Sequence, residues 1–342
     1  MADLTTKSIE DKSEWEAFMA QHPEANFLHS WYWGEFHEKL GHTVCRTGFY
    51  SHDKLVGVLL AIVEPARRGR HLVVPGGPIL DWKHTGLAKA WQKECKRLAK
   101  LNKCVFVRVR PQLPDTRENI RLLRKLGFRK APMHLHAELT TQLDLTIPND
   151  ELKKAMRKGT RYEVKRSAKL DIKVVSTKGE EFLDEFYELQ LQTARRHKFV
   201  PFSKKFLVEQ FRVFAAADKV LMYRSTTPEG ELLAMAYIIF YGQEAAYHYG
   251  ASTDLARKIP GAYAVQWEAI AEARRRGCSR YNFWGVTGHG QTKHRFYGVS
   301  VFKRGFGGQD VAYVPAQDLM VDKLRYPFTY AFETARRKTR KL

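Results

Sequence analysis

The chain has 342 residues, in which 58 lysines and arginines stand against 37 aspartates and glutamates, so its formal net charge at pH 7 is +21. Hydrophobic residues make up 44% and aromatic residues 12% of the sequence, which suffices for hydrophobic cores and excludes an intrinsically disordered chain. No apolar run approaches the roughly 20 residues of a membrane span, no secretory signal is visible, and the four scattered cysteines exclude disulfide scaffolds and zinc modules. We therefore expect a cytoplasmic protein of about two domains.

The excess of basic residues is concentrated in two segments. Residues 151–173 contain nine lysines and arginines and three acidic residues, and residues 333–342 contain five more basic residues. Clustered positive charge suits a nucleic-acid backbone or an anionic bilayer surface, although a solvated helix face has the same composition. The candidate residues for an RNA or phosphate surface are Lys154, Lys158, Arg161 and Lys165.

Taken in chain order, the predicted elements occur twice. Each half opens with a helix whose apolar residues recur every three to four positions. The matched pairs are opening helices at 12–19 and 181–196, apolar strands at 54–63 and 231–241, strands ending in glycine at 72–76 and 246–250, helices at 87–101 and 262–276, cysteine-containing strands at 104–109 and 278–284, and Lys-x-Gly-Phe sequences at 125–128 and 303–306. From the apolar strands onward, the offset between matched positions stays between 174 and 178 residues, which indicates a tandem duplication.

The repeated order of elements predicts an α/β (α+β) fold of two tandem domains with mixed, mainly antiparallel sheets. We place the first domain at residues 1–147, the second at 148–330 and a basic C-terminal tail at 331–342. The order resembles the GCN5-related acyltransferase (GNAT) fold, in which a helix N-terminus binds acyl-coenzyme A. Lys83-x-x-Gly86 and Lys258-x-x-Gly261 match the loop expected at that helix only in part.

Seven short segments carry a more specific resemblance. They are FLHSxxW (27–33), GGP (76–78), TRYEVKRSAK (160–169), YGAS (249–252), AYAVQW (262–267), YNFWGV (281–286) and VFKRGFGG (301–308). In this order the segments resemble the Fem family of aminoacyl-tRNA-dependent peptidoglycan aminoacyltransferases over about residues 15–327. No helical hairpin insertion, as found in larger members of that family, is expected here.

The resemblance implies a function and a set of partners. An amino acid would move from charged tRNA to an amine of a peptidoglycan precursor stem peptide, as in the formation of interpeptide bridges. The precursor would be lipid-linked or nucleotide-linked, and the enzyme would be a monomer in the cytoplasm, with peripheral contact at the inner face of the plasma membrane. No cofactor is implied.

The resemblance also implies site residues. Lys303 would lie beside the reacting ester as the catalytic residue, and the implied substrate-binding residues are Phe302, Tyr249, His37, Trp33 and Arg196. Two positions depart from the family pattern, because His37 replaces a phosphate-binding lysine and Phe202 occupies the place of a phosphate-binding arginine. Both departures make a lipid-linked acceptor at least as plausible as a soluble nucleotide-linked one.

The transfer that the resemblance implies needs only simple chemistry. No Ser-His-Asp or Cys-His pattern suggests a covalent intermediate, so alignment of the reactants and a cation near the developing oxyanion would suffice. We interpret Lys303 as that cation, followed by a glycine-rich turn at 305–308 that lets backbone approach a ligand. From the residues alone, favourable interaction with the helix dipole is the better explanation of Arg196, which lies at a predicted helix end.

Other histidines offer further candidate sites. A metal triad of His134, His136 and Glu138 is conceivable, but we interpret residues 133–136 as a surface-facing strand and expect no metal site. His289 and His294 lie in a predicted loop, where they would contact substrate or solvent.

Two other classes of function remain open. An acyl-coenzyme A-dependent N-acyltransferase would use the same fold, and a non-catalytic tRNA- or RNA-binding protein would use the same positive charge. Transfer of label from charged tRNA to a precursor would distinguish the three.

Overall fold

The computed structural model describes residues 4–66, 69–197 and 199–340 and divides the chain into two compact units. The first unit contains the chain up to Glu138 and again the segment from Ala312 onward. The second unit is Leu139–Val311. No helix in these described ranges is long and apolar enough to cross a membrane.

Up to Glu138, the described part of the first unit combines four helices with a run of four consecutive strands and three further strands before and after it. In chain order they are β1 (Leu4–Ser8), α1 (Lys12–Ala20), a 3-10 turn (Phe27–His29), α2 (Trp31–Lys39), β2 (Thr43–Ser51), β3 (Lys54–Glu64), β4 (His71–Pro75), β5 (Ile79–Leu80), α3 (Thr85–Leu101), β6 (Phe106–Arg110), α4 (Arg117–Lys125) and β7 (Arg129–Lys130).

The second unit begins with a strand and two helices and then repeats the main order of the first unit. It contains β8 (Leu139–Asp144), α5 (Asn149–Ala155), α6 (Lys158–Lys169), β9 (Lys173–Thr177), α7 (Leu183–His197), α8 (Lys204–Ala216), β10 (Val220–Thr226), β11 (Leu232–Tyr241), β12 (Glu244–Ser252), a 3-10 turn (Leu255–Arg257), α9 (Gly261–Arg275), β13 (Arg280–Gly285), α10 (Tyr297–Arg304) and β14 (Gln309–Ala312). The chain ends with β15 (Gln317–Met320) and α11 (Tyr326–Arg340), which belong to the first unit.

The two sheets have matching strand orders. The first is β1-β2-β3-β4-β6-β15-β7, with β5 beside β3, and the second is β9-β10-β11-β12-β13-β8-β14. The pairs β4–β6 and β12–β13 are parallel, whereas β2–β3, β10–β11, β15–β6 and β13–β8 are antiparallel. The predicted fold class, two tandem α/β domains with mixed and mainly antiparallel sheets, is confirmed.

Helix α3 illustrates how the sequence builds each core. Its buried side chains Leu87, Trp91, Cys95 and Leu98 recur every three or four residues and form one apolar face. His84 caps the helix by accepting a hydrogen bond from the Leu87 amide at 2.9 Å. The apolar face packs against buried residues of β2, β3, β4 and β6, and α9 does the same on β10 and β11.

The domain boundaries differ from those drawn on the sequence. Strand β8, placed in the first predicted domain, pairs with β13 in the second sheet, so the division falls after Glu138 and not after residue 147. Strand β15, placed in the second predicted domain, pairs with β6 over Gln317–Met320 in the first sheet. The sixth strand of each sheet therefore comes from the opposite sequence repeat.

The segment predicted as a basic tail at 331–342 is largely helical. Its residues up to Arg340 form the end of α11, and Lys341 lies outside the described residues. Glu333 is buried and accepts a hydrogen bond from Arg108 at 2.7 Å, while Asp318 accepts two from the same guanidinium at 2.8 Å. This buried charge network anchors the segment in the first unit, which corrects the expectation of a separate tail.

Candidate functional site

Strands β12 and β13 separate after a short parallel ladder in the second unit. The ladder joins Glu244–Ala246 of β12 to Arg280–Asn282 of β13 and then stops, although both strands continue. Backbone groups beyond the ladder therefore need other partners, and the side chains of the diverging ends border the opening. The opening is where the structure brings chemically useful residues together.

Both strands are irregular at this point. The register between β11 and β12 shifts between Tyr237 and Ile238, so His248 is an extra residue in β12. On β13, Trp284 has a φ of +64°, a conformation that costs free energy for a residue with a bulky side chain. The His248 and Trp284 rings lie 5.4 Å apart, so the two distortions are neighbours.

Lys303 of α10 inserts its ammonium group beside these strands. Its Nζ donates a hydrogen bond to the Gly285 carbonyl at 2.8 Å and lies 5.5 Å from the centre of the Tyr247 ring. The side chain is 9% exposed, and burial lowers the pKa of Lys303 to about 7. No carboxylate in the described part of the chain forms an ion pair with it, so the group lies near its protonation midpoint at neutral pH.

The residues around Lys303 in the sequence are mainly structural. Phe302, implied as a substrate-binding residue, packs edge-on against Tyr263 and Phe306 at the second core. The glycine-rich turn was expected to approach a ligand, but a Cβ on Gly307, which has a φ of +90°, would meet the Ala155 carbonyl at 2.6 Å. Close packing against α5 explains the glycine, and that expectation is corrected.

Tyr249 and Arg196 lie near the carboxyl end of β12. The Tyr249 ring contacts His248 at 4.0 Å and Phe202 at 5.5 Å between centroids, and burial raises its pKa well above the usual value. Arg196, at the end of α7, donates hydrogen bonds to the Ser252 carbonyl at 2.9 Å and to Asp254 at 3.0 Å. Arg196 thus contacts Ser252, which lies three positions after Tyr249 on β12. The structure therefore brings both predicted residues to the same end of this strand.

The predicted RNA or phosphate surface lies on α5 and α6. Lys154, Lys158 and Lys165 are exposed, and the spacing of Lys158, Arg161 and Lys165 places them along one side of α6. Arg161 is half-buried because its guanidinium donates to the carbonyls of Lys153 and Lys154 at 3.2 Å each, where α5 ends. Three of the four candidates are therefore available to an anionic partner.

In the first unit, the segments FLHSxxW and GGP, which carry part of the family resemblance, pack against each other in the interior. His29 is buried, accepts a hydrogen bond from the Leu60 amide at 2.9 Å and donates one to the Pro75 carbonyl at 2.9 Å. A Cβ on Gly77 would collide with the His29 ring, so only glycine fits. Trp33, implied as substrate-binding, is 4% exposed and packs against neighbouring rings, which makes it a core residue.

His37 is buried beside a second histidine. Its Nδ1 lies 2.8 Å from Nδ1 of His42, and both rings face Glu64. Burial, with a smaller contribution from His42, lowers the pKa of His37 to about 3, so the ring is neutral at physiological pH. No local sequence pattern connects these three residues, because His42 and Glu64 come together only through the pairing register of β2 and β3.

The other histidine candidates have local roles. Residues 133–136 form bends and not the predicted strand, and Glu138 accepts a hydrogen bond from the Ala316 amide at 2.9 Å. Among the described residues, His134, His136 and Glu138 do not come together as a metal-type group. His289 is exposed and lies 3.1 Å from Asp310. His294 accepts from the Phe296 amide at 3.2 Å.

A cavity of about 800 Å³ lies elsewhere, in the first unit. Four of its charged lining residues are already paired, since Arg46 binds Glu38 at 2.7 Å and Arg97 binds Glu94 at 2.7 Å. The candidate active site is therefore the opening between β12 and β13, where Lys303 has no counter-ion among the residues that the structure describes.

Comparison with known proteins assigns the chain to a family. A profile of the FemAB family matches residues 10–122 and 222–334, which together exceed half of the chain. The chain belongs to the FemAB family. The resemblance found in the sequence is thereby confirmed, and the two matched stretches of this FemAB protein fall one in each repeat.

Curated relatives match over a short stretch. Aminoacyltransferase FemA of Staphylococcus aureus (strain MW2) is 39% identical over 71 residues, which are 21% of this chain and 17% of the relative. The same protein of strain N315 gives the same values. The matched stretch of this FemAB protein thus spans about a sixth of the length of these relatives.

Solved structures match over nearly the whole FemAB chain. FemX superposes with a TM-score of 0.84 at 17% identity, covering 95% of this chain and 99% of FemX. A tandem GNAT protein from the clavulanic acid biosynthesis pathway gives 0.60 at 11% identity over 93% and 99%. L-PGS from Bacillus licheniformis gives 0.57 at 17% identity over 96% and 98%. These likenesses confirm the predicted tandem GNAT fold.

Proposed function

We propose that this FemAB protein transfers an amino acid from charged tRNA to an amine of a peptidoglycan precursor stem peptide. Membership of a family whose curated members include an aminoacyltransferase supports acyl transfer. The observation that carries the proposal is Lys303, a buried cation without a counter-ion among the described residues, beside an opening between two strands. Such a group is suited to a developing negative charge.

The proposed reaction needs no covalent enzyme intermediate. The acceptor amine attacks the ester carbonyl, a C–N bond forms, the bond from the carbonyl carbon to the ribose oxygen breaks, and a proton from the amine ends on that oxygen. The Lys303 ammonium stabilises the oxyanion, or the phosphate next to the tRNA 3′ terminus, while the amine attacks. Water competes with the amine, so alignment of the two substrates determines the yield of product.

The remaining implied residues take supporting roles in the proposal. Tyr249 lines the acceptor site from β12, and Arg196 stands near it through its contacts with Ser252 and Asp254. Phe302 and Trp33 act through packing, since both are held among other rings. His37 would contribute as a neutral ring, so the phosphate interaction expected of a lysine at that position would be weaker.

One experiment tests the function against its alternatives. Charged tRNA carrying a labelled amino acid is incubated with the protein and with lipid-linked or nucleotide-linked precursor. The proposal predicts label in the precursor that RNase treatment of the donor abolishes. Transfer from acyl-coenzyme A alone would favour the N-acyltransferase, whose expected helix start at Gly261 packs here against Leu233. Binding of tRNA without product would favour a binding protein.

The pH dependence of transfer tests the charged form of Lys303. A lysine with a pKa of about 7 is an ammonium below that pH and an amine above it. If the ammonium is required, the transfer rate should rise with pH as the acceptor amine, whose reference pKa is about 10, loses its proton, and should then level off above about pH 7, because loss of the ammonium cancels the gain in free amine. Single-turnover rates between about pH 6 and pH 9 measure this.

The matched variant for this prediction is Lys303→Arg. A guanidinium stays charged throughout the range, so in whatever activity the variant retains the rate should keep rising above about pH 7, where the wild-type rate levels off. A wild-type rate that keeps rising from about pH 6.5 to 8.5 would contradict the role of the ammonium.

The basic side of α5 and α6 is proposed to hold the RNA donor. Changing Lys154, Lys158 and Lys165 to glutamate should weaken tRNA binding and make its salt dependence shallower, because fewer counter-ions are released. We expect the slope of log affinity against log salt concentration to lose roughly two to three units, measured between about 50 and 300 mM salt.

A control with the same change of net charge isolates the surface. Lys178, Lys204 and Lys205 are also exposed lysines of the second unit, and the first two already pair with Asp218 and Asp184. Their triple change to glutamate should leave most of the salt slope intact. Equal losses in both triple variants would show that binding follows net charge and not this surface.

The same proposal includes contact with the membrane surface and with a lipid-linked precursor. An anionic bilayer would attract the same exposed lysines, so a lipid-linked precursor could be used at the inner face of the plasma membrane by a cytoplasmic monomer. Comparing lipid-linked with nucleotide-linked precursors in the transfer assay decides which acceptor is preferred.

A further inference from the structure

Three ligand-type side chains meet at one end of the first sheet. Among the described residues, His37, His42 and Glu64 form the group in which histidine nitrogens and a carboxylate oxygen all lie within 4.8 Å of one another. None of them belongs to the opening that holds Lys303. The proposed transfer reaction leaves His42 and Glu64 without a role.

The local fold determines how the two histidines meet. Helix α2 ends in a Schellman motif, in which the Gly41 amide bonds to the Glu38 carbonyl at 2.9 Å and the His42 amide to the His37 carbonyl at 3.0 Å. Gly41 has the φ of +85° that this turn requires. The turn brings His42 back over the last turn of α2, onto His37.

The strand register adds the carboxylate. Thr43 of β2 pairs with Val63 of β3 in an antiparallel ladder, so the next residues outward, His42 and Glu64, lie opposite each other. Glu64 Oε1 is 3.7 Å from Nδ1 of His42 and 3.8 Å from Nδ1 of His37. A helix end and a strand pair thus hold three donor atoms in a fixed triangle.

The triangle has the size of a metal site. Its sides are 2.8, 3.7 and 3.8 Å, and one point in its plane lies about 2.0 Å from all three atoms, within the range of Zn–N and Zn–O bonds. Two imidazoles and a carboxylate are also ligand types that divalent transition metals use together, with further positions open to water.

We propose that His37, His42 and Glu64 bind a divalent transition-metal ion of the zinc class. Their side chains are 7%, 20% and 31% exposed, so the ion would be largely enclosed and would be reached from the Glu64 side. By joining α2 to the hairpin of β2 and β3, the ion would stabilise the first unit.

A direct titration tests the site. The purified full chain is stripped with a chelator and titrated with Zn²⁺ by calorimetry, and with Co²⁺ while its visible absorption is followed. We expect one ion per chain, a Co²⁺ spectrum typical of mixed nitrogen and oxygen ligands, and a higher thermal midpoint with metal than without. His42→Ala and Glu64→Gln should each weaken Zn²⁺ binding at least about tenfold.

Two features of the design separate the site from adventitious binding. His134→Ala removes an exposed histidine of the same unit and should bind Zn²⁺ like the wild type. Glu64→Gln keeps the size of the side chain, so its metal-free thermal midpoint should stay near that of the wild type even if His42→Ala folds poorly. No Zn²⁺ binding by the wild type, or equal binding by wild type and Glu64→Gln, would overturn the proposal and leave a hydrogen-bonded histidine pair.

Discussion

Lys303→Met is expected to reduce aminoacyl transfer at least about a hundredfold, because loss of one donor to an oxyanion costs about 2.7–4 kcal/mol. Methionine preserves most of the apolar stem but removes the ammonium group, which donates to the Gly285 carbonyl and lies 5.5 Å from the centre of the Tyr247 ring. The variant also no longer buries an ammonium group, so it should fold at least as well as the wild type. Single-turnover transfer from charged tRNA and the thermal midpoint together measure both effects.

The sequence repeat supplies a matched control for this variant. Lys125 occupies the equivalent Lys-x-Gly-Phe position of the first repeat, where it is exposed at the end of α4. Lys125→Met makes the same chemical change without touching the opening between β12 and β13, so we expect transfer near the wild-type rate. A folded Lys303→Met protein that keeps more than about a third of wild-type turnover would remove Lys303 from the catalytic role.

Arg108→Met is expected to lower the free energy of unfolding by about 3–5 kcal/mol, since it breaks both buried ion pairs that Arg108 forms with Asp318 and Glu333. The Arg108 side chain is 6% exposed, and those of Asp318 and Glu333 are 0% and 3% exposed. Tyr326 donates a further hydrogen bond to Asp318 at 3.0 Å, so the network ties β15 and α11 to β6. Urea denaturation followed by tryptophan fluorescence measures the loss.

An exposed ion pair provides the comparison for this stability prediction. Arg212 pairs with Glu180 at 2.8 Å, but both side chains are about half exposed, and solvent screens such a pair. Arg212→Met should therefore leave the unfolding midpoint close to that of the wild type. If Arg108→Met were equally mild, the Arg108 network would not hold the C-terminal segment in place.

Local sequence patterns determined much of this structure in advance. The helix predicted at 87–101 is observed at Thr85–Leu101, and the helix predicted at 262–276 is observed at Gly261–Arg275. Apolar periodicity and caps act within one or two turns, so they can be recognised without tertiary contacts. The recurrence of five such features also predicted the tandem fold, which the strand orders of both sheets confirm.

The sequence likewise sufficed to recognise the family and to select Lys303 as the catalytic candidate. Both were possible because the motif around Lys303 is a continuous run of residues. The contacts and the burial of Lys303 could not be predicted from the sequence in the same way. The Gly285 carbonyl is a backbone group that any residue could supply, and its distance of 2.8 Å from Nζ depends on where the ladder of β12 and β13 ends. The pKa of about 7 follows from burial, which is a property of the folded chain.

Only the tertiary structure decided which strands complete each sheet. Arg108 and Asp318 are 210 residues apart in sequence, and their contact turns a predicted basic tail into part of the first unit. The register of β2 and β3 places His42 opposite Glu64, and the turn that ends α2 brings His42 onto His37. Local propensity acts between near neighbours in sequence, whereas strand exchange, buried charge networks and converging ligands depend on pairings that form only when distant segments fold together.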